Sequence, residues 1–233
     1  SKYNRSGDDW VASEWGYRLK DRQLAAAPIF SREGEAYLDA MRAAGNYAFA
    51  NRSALTQRLR GVLREHLGPD GDLEVVYDVS HNIAKVEDHV VHGKTCKCCV
   101  HRKGATRALG GDHPELVSRF SSVGQPVLVP GDMGTASWVL AGPTKGGNDA
   151  FASSCHGAGR QLSRTAARKS VDTNELMNRL EQQGVHVRAK TPNVLSEEAP
   201  EAYKDVDDVV RLTDRAGLAR PVARLRPLAV IKG

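Results

Sequence analysis

The stretch PVLVPGDMGTASWVLAG, residues 126–142, decides the fold class that this sequence predicts. Two short apolar runs flank a turn at residues 130–134 that contains proline and glycine. Short apolar runs bounded by such residues are typical of strands. We therefore predict two strands joined by a glycine-bearing turn. Asp132, Thr135 and Ser137 lie in or beside this turn, where their side chains suit hydrogen bonding to a base or a ribose.

The segments before this hairpin predict a long helix and then a strand. Residues 33–66 carry apolar side chains at helical spacing, Ser31 is a suitable N-cap, and the Gly-Pro-Asp-Gly sequence at residues 68–71 ends the pattern. The stretch LEVVYDVSHNIAKVE, residues 73–87, indicates a buried strand, apolar on both faces, with His81 just past its end. Residues 1–33 show no clear period and are interpreted as irregular.

The segments after the hairpin alternate between helix and strand patterns. We predict a helix near 173–183, a strand near 185–189, a helix near 205–216 and a last strand in LAVIKG at residues 228–233. This alternation indicates a mixed α+β fold. Rossmann and P-loop fingerprints are both missing from the sequence, so an ordinary nucleotide-binding fold is disfavoured.

The bulk composition indicates a globular protein with a mild preference for polyanions. The 233 residues carry a formal net charge of +5, with 40% hydrophobic and 26% charged residues. These are ordinary values for a globular chain. The positive charge mildly favours polyanions such as nucleic acid, although many proteins of this charge bind none. We find no apolar run long enough to span a bilayer and no signal peptide, so we expect a soluble, cytoplasmic protein.

Three of the four cysteines lie together in TCKCCVHRKG, where Cys96, Cys98 and Cys99 occur near His89, His92 and His101. A thiolate–imidazole zinc site is one interpretation. The spacing lacks the usual pair of Cys-x2-Cys motifs, and the alternative is a set of reduced thiols on a hairpin.

The stretch ASSCHGAGRQLSRTAARK, residues 152–169, carries the strongest sign of chemistry. Glycines follow His156 closely and let the backbone approach a ligand, while Arg160, Arg164 and Arg168 would form one basic stripe on a helix. A loop that leads into a helix N-terminus can bind an anion. The pattern suggests a phosphate-bearing ligand beside a reactive histidine. The alternative is a glycine-rich turn before a solvated basic helix.

Weaker signals occur at three other places. His81 is a candidate metal or substrate ligand, or else a core histidine bonded to a carbonyl. HRKGATR, residues 101–107, resembles a phosphate-contacting turn with Arg102, Lys103 and Arg107, or else a solvated basic turn. Lys232 is placed in a sheet by the apolar LAVIKG, or else it belongs to a tail.

Taken together, these motifs resemble the RtcB family of GTP-dependent RNA-splicing ligases. The resemblance rests on GEAYLDAMRAAGNYAFANR, YDVSHNIAK, HRKGATR, VGQPVLVPGDMGTASWVLAG, SSCHGAGRQLSR, EEAPEAYKDVDDVV and ARLRPLAVIKG, in this order. It covers residues 21–233, which we interpret as the C-terminal part of an RtcB-like catalytic domain. Residues 1–20 are set apart as an irregular N-terminal segment.

The resemblance implies an activity. Members of the family join an RNA end with a 3′-phosphate or 2′,3′-cyclic phosphate to a 5′-hydroxyl end, using GTP and Mn²⁺, in tRNA splicing and RNA repair. A histidine in the CHGAGR motif becomes guanylylated, and His156 occupies that position. An activating partner, archease, serves some members.

The resemblance also implies roles for single residues. His81 matches a metal ligand, Lys232 would bind the guanine carbonyl, and Arg160 is a candidate contact for RNA or nucleotide phosphate. Asp132 stands where the family often has serine, and a base-side role suits a carboxylate there. The implied nucleotide-binding residues are Asp132, Ser137, Gly157, Ala158, Gly159, Tyr203 and Lys232.

The family's other metal-site motifs, an Asp–Cys motif, Gly-Asn-His-Phe and His-Ser-Gly-Ser-Arg-Gly, do not occur in this sequence. We therefore expect the chain to correspond to the C-terminal half of a ligase, with the N-terminal half as a partner. The alternative is a non-catalytic RNA- or nucleotide-binding module derived from the ligase.

Overall fold

A computed structural model describes residues 26–147 and 149–232. The chain divides into two compact units, Ser1–Glu74 and Val75–Gly233. The predicted irregular segment, residues 1–20, and its boundary at residue 21 lie outside the described residues and stay predictions.

In the first unit, helix α1 spans Arg32–Leu67 and confirms the predicted long helix. The Ser31 hydroxyl caps it by accepting a hydrogen bond from the amide of Gly34, and Glu33 and Glu35 lie in the first turn. Gly68 ends the helix at φ +65° and begins a short 3-10 turn, Gly68–Asp70. The chain then runs back along α1, where Arg60 donates to the carbonyl of Leu73.

The second unit opens with a hairpin of β1 (Asn82–Val91) and β2 (Lys94–Lys103). Its turn is only His92 and Gly93, at φ +50° and +75°, values that suit a tight two-residue hairpin turn. The predicted strand over residues 73–87 is therefore wrong in its bounds, because residues 72–80 form no regular structure. His81 precedes β1 rather than following a strand, and Val76 is exposed instead of buried.

The remaining strands form three small sheets. β3 (Ala105–Arg107) pairs antiparallel with β6 (Ser153–Cys155), and β7 (His186–Ala189) pairs parallel with β9 (Ala229–Lys232). The central sheet has the order β4–β5–β8, all antiparallel, with β4 at Pro126–Pro130, β5 at Ser137–Ala141 and β8 at Arg220–Leu225. The pair β4–β5 confirms the predicted hairpin, and β7 and β9 confirm the strands predicted near 185–189 and in LAVIKG.

Four helices follow β6, and 3-10 turns occur at Ser118–Phe120 and Pro200–Ala202. They are α2 (Arg164–Ser170), α3 (Thr173–Gln182), α4 (Pro192–Glu197) and α5 (Val206–Arg215). The predicted helices near 173–183 and 205–216 are confirmed. The fold is α+β, as predicted.

Two apolar cores hold the second unit together. The first packs the central sheet against α5 through side chains that are almost fully buried: Val127, Val129, Leu140, Val206 and Val210. The second packs α3 and α4 on the β7–β9 pair. Within the described part of the chain, no helix is both long and apolar enough to cross a membrane.

Candidate active site

His156 directly follows β6, so a short paired strand fixes the start of the loop to which it belongs. Cys155 pairs in register with Ala105 of β3 and packs against the first core, with its Sγ 3.2 Å from Thr213 Oγ1. Gly104, just before β3, has φ +70°, and a Cβ built there would lie 3.7 Å from Cε1 of His156. The histidine is partly buried beside this glycine.

The imidazole rings of His81 and His156 stack on each other. Their centroids are 4.8 Å apart and their planes differ by 18°. His81 is exposed, so the alternative of a core histidine is wrong, whereas the ligand role implied by the resemblance stays a prediction. The structure thus brings together the two histidines that the sequence singled out.

The loop after His156 packs against the β4–β5 turn. The amide of Ala158 donates to the carbonyl of Pro130 at 2.9 Å, and a Cβ on Gly157 would lie 3.4 Å from the same oxygen. Gly159 has φ +77°, which favours glycine, and its carbonyl accepts from the amide of Lys204. Three predicted nucleotide-binding residues, Gly157, Ala158 and Gly159, therefore form one ordered loop.

The predicted residue Asp132 lies in the β4–β5 turn, and the predicted residue Ser137 lies directly after this turn. Asp132 Oδ1 accepts from the amides of Gly134 and Thr135, and its Oδ2 accepts from the Thr135 hydroxyl. Ser137 begins β5, and its Oγ accepts from the amide of Gly131 at 3.4 Å. Asp132 therefore stabilises its own turn. Its contact with the base stays a prediction.

Beyond the loop, three side chains surround the carboxylate of Glu198. Tyr203 Oη donates to Glu198 Oε2, Arg160 Nη1 lies 3.4 Å from Oε1, and Lys232 Nζ lies 3.6 Å from Oε2. Arg160 also donates to Tyr203 Oη at 3.1 Å and covers its ring, 4.9 Å from the centroid. Three residues from separate elements, all predicted to contact nucleotide or RNA, thus meet at one carboxylate.

Charges in this network oppose the cost of burying Glu198. Burial raises the pKa of its carboxyl, but the hydrogen bond from Tyr203 and the charges of Lys232 and Arg160 outweigh it, so the pKa lies below its ordinary value. Burial and the bond to Glu198 both raise the pKa of the Tyr203 hydroxyl. The pair is therefore a neutral phenol on an ionised carboxylate at neutral pH.

The predicted basic stripe forms only in part. Helix α2 begins at Arg164, because Ser163 caps it, and Arg160 lies before the helix in a bridge with Tyr203. Arg164 and Arg168 do share one face, and both lie near the carboxylate of Glu197, at 3.6 and 3.3 Å. The interpretation as a solvated basic helix is therefore incomplete, because an acidic side chain partly neutralises the stripe.

The three basic residues predicted in the HRKGATR segment lie in different surroundings. Arg102 is buried in an ion pair with Glu87, which does not favour the predicted contact with an external phosphate. Arg107 pairs with Glu115 at 2.6 Å. Lys103, at the end of β2, is exposed, so it is the one of the three whose position favours contact with a large polyanion.

The described residues do not form a metal centre by themselves. No group of three or more His, Cys, Asp or Glu side chains among them has the geometry to hold an ion. Cys96, Cys98 and Cys99 are free thiols on β2 of the hairpin, the alternative that the sequence left open. The donor set at His81 does not fit a complete manganese site.

Comparisons with known proteins agree on one family. The family model described as tRNA-splicing ligase RtcB matches residues 3–233. The tRNA-splicing ligase RtcB of Archaeoglobus fulgidus is 49% identical over 228 residues, which are 97% of this chain and 47% of that protein. The RNA-splicing ligase RtcB of Mycobacterium tuberculosis is 50% identical over 219 residues, 94% of this chain and 50% of that protein.

A further relative is the tRNA-splicing ligase RtcB of Thermococcus kodakarensis, 50% identical over 223 residues, 94% of this chain and 46% of that protein. The chain therefore belongs to the RtcB family. It spans about half the length of these curated relatives.

Sequence reasoning missed Glu198 and the buried pair of Glu87 and Arg102. The only signal for Glu198 was its place in EEAPEAYKDVDDVV, five residues before the assigned Tyr203. Arg102 was noted only as a possible phosphate contact, and its pairing with Glu87 gave no signal, because that pairing requires the strands of the hairpin to be placed together.

Proposed function

We propose that this chain is the part of a GTP-dependent RNA ligase that carries the nucleophilic histidine and the guanine nucleotide pocket. The observation that carries the proposal is the continuous set of contacts that leads from the loop after His156 to Lys232. The loop contacts the β4–β5 turn through Pro130, and it reaches Lys232 through Tyr203 and Glu198. Residues predicted from separate motifs thereby surround one loop.

In the proposed reaction, an imidazole nitrogen of His156 attacks the α-phosphorus of GTP. The bond from that phosphorus to the bridging oxygen breaks, pyrophosphate leaves, and the imidazole gives up its proton, which leaves a guanylyl-histidine. A neutral imidazole is the required nucleophile, because only an unprotonated ring nitrogen has a lone pair with which to attack phosphorus.

Two transfers would then complete the ligation. An oxygen of the RNA 3′-phosphate attacks the guanylyl phosphorus and releases His156. The 5′-hydroxyl of the second RNA end then attacks the activated 3′-phosphate, loses its proton and displaces GMP. A 2′,3′-cyclic phosphate end is first opened by water to the 3′-phosphate.

The pocket residues of the chain would bind and orient the nucleotide. Lys232 would donate from its ammonium group to the guanine carbonyl, and Asp132 would lie on the base side of the pocket. The loop Gly157–Ala158–Gly159 and Ser137 would line it, since their small side chains permit close approach of the phosphates and ribose. Tyr203 and Arg160 would form its wall.

We also propose Mn²⁺ as a cofactor, with His81 as one ligand. Two or more additional ligands would come from the rest of the whole ligase, because the described residues offer no complete set. The proposed partners are therefore RNA with 3′-phosphate and 5′-hydroxyl ends, the other half of the ligase and, as an activator, archease. The proposed location is the cytoplasm.

The test is covalent labelling with α-labelled GTP and Mn²⁺, using this chain alone and the chain combined with the rest of a whole ligase. We expect label on the combined protein that His156→Ala removes. Label on the chain alone would show that it forms the guanylylated intermediate unaided. Absence of label in both samples would overturn the proposal and favour the non-catalytic nucleotide- or RNA-binding module.

A further inference from the structure

The guanidinium of Arg102 lies at the centre of a buried network that joins the β1–β2 hairpin to the segment before β6. Its side chain is 1% exposed, and it forms two parallel hydrogen bonds of 2.8 Å to the carboxylate of Glu87. Its Nε donates to Ser153 Oγ at 3.0 Å, and its Nη2 donates to the carbonyl of Phe151 at 2.8 Å. One side chain therefore binds both parts of the structure.

The segment that Arg102 holds has an unusual backbone. Phe151 and Ala152 are consecutive non-glycine residues at φ +53° and +49°, in the left-handed region that L side chains disfavour. Such a conformation persists only where surrounding contacts determine it. The Phe151 carbonyl accepts from Arg102 and, at 3.2 Å, from the Ser153 hydroxyl, and the Ala152 carbonyl accepts from the amide of Ala108 at 2.7 Å.

His89 completes the support from the hairpin. Its Nε2 lies 3.0 Å from Glu87 Oε2, and its ring meets the ring of Phe151 edge to face with centroids 5.2 Å apart. Glu87 therefore orients two groups that both contact Phe151, one on its carbonyl and one on its ring.

The residues at the two ends of the β1–β2 hairpin also lie beside His156. His81, which stacks on the His156 ring, immediately precedes β1, and Gly104, which lies against that ring, immediately follows β2. Ser153, bound by Arg102, begins the three-residue strand that ends directly before His156. The hairpin thus contacts the histidine and also the segment that leads to it.

We propose that Arg102, oriented by Glu87, is a positioning residue that holds the strained segment at residues 151–153 and thereby sets the place of His156. The inference rests on the proposed function for its catalytic consequence. Its structural part, the ordering of residues 151–156 by the pair, does not depend on that function.

The test variant is Arg102→Lys, which keeps the positive charge but cannot make the fork to Glu87 and reach Ser153 and Phe151 together. In the whole ligase, the single-turnover rate of guanylylation at saturating GTP is expected to fall about 10- to 100-fold, because a small misplacement of a reacting group lowers the rate by up to about 100-fold. The apparent Kd for GTP should change less than about two-fold, since the buried Arg102 side chain bonds to Glu87, Ser153 and Phe151, which are not proposed nucleotide-binding residues. The matched control is Arg224→Lys, which alters an arginine fork to Asp207 on the protein surface.

Hydrogen–deuterium exchange gives the independent readout. Amides of residues 151–156 should exchange faster in Arg102→Lys than in the wild type and in Arg224→Lys. Unchanged exchange would overturn the proposal whatever the activity, and so would a loss of GTP affinity with an unchanged guanylylation rate. A wild type that takes no label would count against the proposed function alone, because the exchange measurement still decides this inference.

If Arg102→Lys fails to fold, the double variant Glu87→Leu with Arg102→Met replaces the buried pair by apolar side chains, which commonly preserves stability. It removes both contacts to residues 151–153. Faster exchange at residues 151–156 in this folded variant supports the proposal, and wild-type exchange there contradicts it.

Discussion

The rings of His81 and His156 lie nearly parallel, 4.8 Å apart at their centroids, although His81 directly precedes β1 and His156 directly follows β6. This contact restricts the plane in which the His156 imidazole can present a nitrogen. A metal bound by His81 would therefore be held close to the proposed nucleophile.

The stacking predicts separate effects for the ring and for the nitrogens of His81. We expect His81→Phe to keep the fold, because an aromatic ring can replace the stack, but to lower Mn²⁺-dependent guanylylation of the whole ligase by about 100-fold or more through loss of a ligand. Labelling as a function of Mn²⁺ concentration measures this effect. His186→Phe, at an exposed position on β7, is the control. Wild-type labelling by His81→Phe would exclude the ligand role.

Lys232 should determine base selectivity. Replacing it by glutamine removes the charged donor for the guanine carbonyl, and we expect about a ten-fold weaker Kd for GTP, because a charge-assisted hydrogen bond contributes about 1.5–3 kcal/mol. ATP binding should hardly change. Calorimetric titration of both nucleotides measures the difference, with the exposed Lys169→Gln on α2 as control. An equal loss for GTP and ATP would place Lys232 on the phosphates instead.

Gly104 should be sensitive to any side chain. Alanine at φ +70° is strained, and we expect the free energy of unfolding to fall by about 1–2 kcal/mol. The added Cβ would lie at ordinary contact distance from His156, so backbone strain is the main cause. Urea denaturation measures the change. Gly147→Ala, with no positive φ and open space around it, should alter stability by less than about 0.5 kcal/mol.

The stability of the second unit should fall with acid in a way that depends on Glu198. Its pKa is held below its ordinary value near 4.5, so the ionised carboxylate favours the folded state. That contribution is complete above pH 4.5 and is lost as the pH falls through the lower, folded-state pKa. We expect Glu198→Gln to be less stable than the wild type at pH 7 and to lose less stability on acidification.

Thermal unfolding at several pH values between 7 and 3 measures this dependence. Glu197→Gln is a suitable control, because its carboxylate lies at 3.6 and 3.3 Å from two exposed arginines. A Glu198→Gln variant whose stability follows the wild-type curve at every pH would show that the carboxylate has no net role in folding.

Elements whose signals are local could be predicted from the sequence. Helix α1 has its cap at Ser31 and its end at Gly68, and the β4–β5 hairpin has its turn residues between two apolar runs. The bounds of β1 could not be predicted in this way. The apolar residues Val75 and Val76 suggested a strand that the structure lacks, while the pairing of β1 with β2 depends on the short His92–Gly93 turn.

In the candidate site, too, local motifs could be predicted from the sequence and contacts between distant residues could not. The motif around His156 and the choice of Lys232 and Tyr203 came from local patterns and from the family resemblance. The roles of Glu198 and Arg102 depend on contacts between residues far apart in sequence, such as Arg102 with Ser153 and Glu198 with Lys232. Such partnerships become visible only when the strands are placed in register.

The most direct measurement is to locate the guanylyl group by peptide mass spectrometry after reaction of the whole ligase with GTP and Mn²⁺. We expect the adduct on His156, in the peptide that contains the Gly157–Gly159 loop, and its absence in His156→Ala. An adduct on a lysine, or on any residue other than His156, would contradict the assignment of this histidine as the nucleophile.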